Sequence, residues 1–97
     1  MTTVLLRKEA EDDLQDAARW YESQRVGLGN EFLTQALRMF DRIGDTPLAF
    51  PEVYRGLRRA LLRRFPFAVY FRVEAELVSV VAVMYSSRSP TAWKGRS

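Results

Sequence analysis

The sequence contains no cysteine and no histidine. The first absence excludes disulfide scaffolds, thiolate metal sites and cysteine nucleophiles; the second excludes imidazole acid–base chemistry and Ser-His catalysis. No glycine-rich phosphate loop is present, and no metal-ligand spacing occurs. In the C-terminal half the acids are Glu74 and Glu76, which fall in a predicted turn, so a hydrolase working through two carboxylates is not expected. Internal repeats and low-complexity tracts are also missing. With no long uncharged span and no signal-like apolar block, a soluble cytoplasmic protein without cofactor or metal is expected.

What is there suits one domain over residues 1–97. At 47% hydrophobic content the chain can bury a core without disulfides. The net charge of +3 hides a gradient. Residues 1–52 hold six Lys/Arg against ten Asp/Glu, and residues 53–97 hold nine against two. Such a basic half points to an anionic partner, either nucleic acid or an acidic protein.

Apolar periodicity predicts the elements. Val4, Leu5 and Leu6 predict an edge strand within 2–7. From 8 to about 24 the period turns helical, with Ala10, Leu14, Ala17, Ala18 and Tyr21 in one stripe and Trp20 beside it. Glu9, Glu11, Asp12 and Asp13 crowd the first turn, where negative charge suits the helix dipole. After Gly27 and Gly29, Asn30 is the expected N-cap of a second helix carrying Phe32, Leu33, Ala36, Leu37, Phe40 and Ile43, with Gly44 as its left-handed stop. A loop with Pro47 and Pro51 leads to three antiparallel strands at 57–64, 67–73 and 77–84. The last two are joined as a hairpin through Glu74-Ala75-Glu76. In the final strand, simple alternation puts Val78, Val80, Ala82 and Met84 on one face. The resulting order is β-α-α-β-β-β, an α+β two-layer sandwich with a helix hairpin on an antiparallel sheet.

Arg58, Arg59, Arg63, Arg64, Arg72 and Arg88 are expected to converge on the sheet and its exit, with Tyr70, Tyr85 and Trp93 interleaved. Guanidinium forks beside stacking rings can hold phosphates and bases. The plainer alternative is arginines on a solvated sheet face and rings in the core.

The order of these elements, with RRFPFAVYFRV, a hairpin turn and VSVVAVMYSSRSPTAW, resembles the RelE/ParE superfamily of bacterial type II toxins, closer to its ParE-like branch. The exit element is Arg88, Pro90 and Trp93. The resemblance spans nearly all of the chain and implies a small toxin held by a cognate antitoxin in a hetero-oligomer. RelE-like members cut mRNA in the ribosomal A site. For such chemistry Arg63, Arg64 and Arg88 would hold the scissile phosphate while Tyr85 assisted proton transfer, although a tyrosine titrating near about 10 is a poor base at neutral pH. ParE-like members poison DNA gyrase without hydrolysis. Phe67 stands where several ribosome-dependent nucleases carry an arginine. Tyr85 stands where many ParE-like chains have His, and Ser89 where an Asp often precedes the proline. The resemblance therefore implies, in order, a gyrase-binding toxin, an mRNA endonuclease, or an inactive member that only binds antitoxin. The target-binding residues would be Arg58, Arg59, Arg63, Arg64, Arg72, Tyr85, Arg88 and Trp93. The antitoxin is expected to lay an acidic amphipathic segment between helices and sheet, or to add a strand to the sheet edge.

Overall fold

A computed structural model describes residues 2–96. Strand β1 (Thr3–Leu6) leads into helix α1 (Lys8–Gln24), a tight turn and helix α2 (Leu28–Asp45). A 3-10 helix (Pro47–Ala49) precedes β2 (Glu52–Tyr54), β3 (Leu57–Leu61), β4 (Phe67–Glu74), β5 (Leu77–Tyr85) and a short helix α3 (Pro90–Lys94). The five strands form one sheet in the order β1-β5-β4-β3-β2, with β1 parallel to β5 and the other pairs antiparallel. This is an α+β fold, two helices packed on a mostly antiparallel sheet.

The helical stripes meet one sheet face. Ala10, Ala17 and Tyr21 of α1 and Phe32, Ala36, Phe40 and Ile43 of α2 pack onto Phe67, Val69, Phe71, Val78 and Val80. Each such aromatic or branched side chain, fully buried, contributes about 1.5–3 kcal/mol. Tyr21, Phe32, Phe65 and Phe67 interlock mainly edge to face, with ring centroids 4.8 to 6.0 Å apart.

Several local expectations are corrected. Leu37 was expected in the α2 stripe, yet it is 57% exposed and Met39 is buried instead. Asn30 does not cap α2. The helix begins at Leu28 after Gly27 at φ 90°, and the Glu22 carboxylate accepts the amides of Gly27 and Gly29 at 3.0 Å. An acid reaching across from α1 satisfies the first-turn donors that a local cap would otherwise take. Gly44 is not a left-handed stop but part of the last turn of α2. Its amide carbonyl accepts the Thr2 N–H at 2.9 Å, and a Cβ there would stand 3.0 Å from the Thr2 carbonyl. The helix ends at Asp45, with Thr46 as its non-helical C-cap before Pro47, whose ring disfavours helix at the preceding residue.

Strand β2 lies where only a loop was expected. Its turn to β3 is Arg55-Gly56, both at positive φ (38° and 84°), the geometry that fits the twist of a two-residue hairpin. In β5 the simple alternation fails. Tyr70 opposes Ala82 while Phe71 opposes Val80, so Val81 is an extra residue, a β-bulge. Beyond it Val83 points to the helix side, whereas Ala82 and Met84 join Leu57, Ala68 and Tyr70 in a second apolar cluster on the far face. That face is covered by Trp93 of α3, which stacks on Tyr70 at 4.8 Å.

Candidate functional site

Residues directly opposite one another on neighbouring strands share a sheet face, and this divides the arginines. Arg58 opposes Phe71 and so belongs to the helix side, where its Nη1 donates to the Phe50 carbonyl at 2.7 Å. Arg59 opposes Tyr70 on the far face. Arg72, opposite Leu57, also lies there, and its Nη1 donates to the Arg55 carbonyl at 2.6 Å, clamping the β2–β3 turn. Arg64 reaches Glu31 at the start of α2, 3.4 Å away. Arg63 lines a cavity with Arg38 and Arg42 of α2. Arg88 lies beside Tyr85 in another cavity against α1.

The expected convergence of these arginines on one surface is thus corrected: they occupy at least three separate places. The reason is the sheet's period of two combined with a loop at 62–66, which sends adjacent arginines to opposite sides. Trp93 is also not presented outward. It is 5% exposed and fills the second apolar cluster.

What the structure does assemble is a cavity of about 370 Å³ at the end of β5, between that strand and α1. Its walls include Trp20, Tyr21, Tyr85, Arg88, Asp16 and Arg96. The bulge at Val81 brings Tyr85 there. It sets Tyr85 opposite Phe67, ring centroids 4.4 Å apart, where an unbroken register would have placed Met84. Tyr85 remains 36% exposed and Trp20 51% exposed, so two rings flank an open recess. Burial, and then the neighbouring Tyr85, push the Tyr21 hydroxyl above its ordinary pKa, which keeps it a neutral donor. Acids from α1 and arginines from the C-terminal stretch share the recess, giving it mixed charge rather than a single anion trap. Among the described residues no group of three metal-ligating side chains stands together.

Arg38 and Arg42, which lie in the acidic half and are not among the expected site residues, line the Arg63 cavity. Their signal was available: residues 35, 38 and 42 fall on one side of a helix. Asp13, expected only to suit the dipole of α1, has a partner at the far end of the chain. Arg96 Nη1 and Nη2 donate to its two carboxylate oxygens, and the Val83 amide donates to Oδ2 at 3.0 Å.

A family profile described as "ParE toxin of type II toxin-antitoxin system, parDE" matches residues 4–90. Among solved structures, a chain of the chromosomal ParDE toxin–antitoxin system from P. aeruginosa is similar in fold, with a TM-score of 0.72 and 18% identity. That similarity covers 88% of this chain and 96% of the other. No curated protein matches the sequence.

Proposed function

The chain belongs to the ParE toxin family of type II toxin–antitoxin systems, and from that premise we propose that it acts in the cytoplasm by binding and inhibiting DNA gyrase, without hydrolysis, until a cognate antitoxin neutralises it. The observation that carries this reading is the family match over residues 4–90. A second supports binding over catalysis. The residues a nuclease would need are divided, Arg63 and Arg64 lining cavities along α2, Tyr85 and Arg88 the cavity along α1. Phosphoryl-transfer chemistry on RNA requires its charge-stabilising groups at one reacting centre. Phe67, moreover, is buried in the core.

The antitoxin segment has a natural seat at the outer edge of β1. That strand ends the sheet, and a groove of about 610 Å³ runs between it and α2 past Val4, Leu6, Leu37 and Phe40. Leu37, more than half exposed, lines it, and Leu5, also more than half exposed, stands on the other face of β1. An added strand with apolar side chains would satisfy the free edge and cover these leucines.

Induction of the chain in a bacterial host tests the target. Filamentation with a DNA-damage response is the expected outcome. Rapid translation arrest with messages cut in the A site would replace this reading with the endonuclease one, and unchanged growth would leave an inactive member that only binds antitoxin. Co-expression with the neighbouring open reading frame is expected to restore growth.

A further inference from the structure

Helix α2 separates two unlike flanks. On the side away from β1, residues 35, 38 and 42 form one row at helical spacing. The loop 62–66 brings Arg63 and Arg64 against that row. Two adjoining recesses, of about 280 and 360 Å³, share Gln35 and Arg38 as lining and together make up the groove. Four guanidiniums line it: Arg38, Arg42, Arg63 and Arg64. Its one lining carboxylate is Glu31, which already pairs with Arg25 at 2.9 Å and with Arg64 at 3.4 Å. Among the described residues Arg38, Arg42 and Arg63 have no carboxylate within ion-pair distance. Arg42 instead stands 5.9 Å over the Phe50 ring.

Like charges gathered without counter-charges repel, and the arrangement becomes favourable when an external anion with several charges in a row enters. We propose that this groove binds the sugar–phosphate backbone of a DNA duplex, the guanidiniums engaging successive phosphates while Asn30, Thr34 and Gln35 supply neutral hydrogen-bonding groups. The inference is independent of which enzyme the toxin inhibits.

A peptide partner fits less well. Protein interfaces depend on apolar anchors entering pockets, and here the apolar lining residues, Met39 and Leu62, are only 5% and 7% exposed. A single strand also fits less well, because stacking platforms for unpaired bases are needed and no aromatic residue lines either cavity. What remains is contact with phosphates, which positions a duplex without reading its sequence.

Fluorescence anisotropy of the full chain with a labelled mixed-sequence DNA duplex, over a range of salt concentrations, tests the proposal. Binding with a steep salt dependence is expected, equal for two duplexes of unrelated sequence. The double variant Arg38→Gln/Arg63→Gln is expected to bind about tenfold to a hundredfold more weakly and to flatten the log–log salt slope by about 2. Both positions are exposed, so the fold should survive, as an unchanged melting temperature will show. The charge-matched control Lys8→Gln/Arg19→Gln, on α1, is expected to bind like the parent. Absence of duplex binding, equal loss in both double variants, or tighter binding of a polyglutamate peptide than of the duplex at the same salt would each overturn the proposal.

Discussion

Asp13 and Arg96, 83 positions apart, meet in a two-pronged bridge: Arg96 Nη1 donates to Oδ2, and Nη2 donates to Oδ1 at 3.2 Å. The bridge stands where the sheet runs out of partners. Strand β1 pairs with β5 only as far as Val80, and beyond it the Val83 amide donates to Asp13 Oδ2 while Arg96 Nη1 reaches the Val81 carbonyl at 3.4 Å. Two side chains thus do for the end of β5 what a longer β1 would have done with backbone groups.

Removing one member leaves the other partly buried without its partner, the Asp13 side chain being 17% and the Arg96 side chain 27% exposed. Asp13→Ala is therefore expected to lower unfolding free energy by about 2–3 kcal/mol. In a urea-denaturation cycle, Asp13→Ala and Arg96→Ala together should cost clearly less than the sum of the two single variants.

Tyr70 and Trp93 stack nearly parallel, at 18°, yet the Tyr70 hydroxyl and Trp93 Nε1 are buried without a hydrogen-bond partner among the described residues. Tyr70→Phe retains the stack and deletes one stranded polar atom, so stability should hold or rise by about 1 kcal/mol. Trp93→Ala should lose about 3 kcal/mol through the cavity it leaves. Chemical-denaturation midpoints of the two variants should move in these different ways.

Glycine matters differently at two nearby positions. A Cβ on Gly29 would stand 2.6 Å from the Ala18 carbonyl oxygen, so Gly29→Ala must push α1 and α2 apart, at a cost of about 2–3 kcal/mol. At Gly27 no atom lies within 4 Å, and the penalty of Gly27→Ala is only the left-handed backbone at φ 90°, about 1–2 kcal/mol. Thermal melts should rank Gly29→Ala as the less stable.

Tyr21 supplies an alkaline limb. Its pKa is raised in the folded state, by burial first and by Tyr85 second. Below the unfolded-state value near about 10 the phenol is neutral in both states, and its contribution to stability is complete. As pH rises through the folded value that contribution is lost, because the unfolded chain releases the proton more readily. Denaturation midpoints measured across alkaline pH should fall less steeply for Tyr21→Phe than for the parent.

Tyr85 separates binding from catalysis. A toxin that works by docking retains growth arrest on Tyr85→Phe, since the ring against Phe67 is kept and one hydroxyl is lost. Collapse of toxicity with normal folding and normal antitoxin binding would instead place proton transfer at that oxygen.

Much of the fold was legible. The α1 stripe through Ala10, Ala17 and Tyr21, and the alternation of Phe67, Val69 and Phe71, follow from periods of 3.6 and 2, which a chain displays without folding. The family resemblance was carried by the same order of elements. Strand β2 was not legible, because three residues bounded by Pro51 and Arg55-Gly56 carry too little pattern to stand out from a loop.

The sequence by itself determined the apolar faces, the charge gradient and the order of elements, since each depends on local spacing and composition. Which arginines stand together was decided only by tertiary structure. One inserted residue at Val81 turns Tyr85 toward α1, one loop turns Arg63 toward Arg38 and Arg42, and Asp13 finds Arg96 across the whole chain. Local period says which way a side chain points from its own element, but a site needs elements distant in sequence to be brought within hydrogen-bonding reach, and only packing does that.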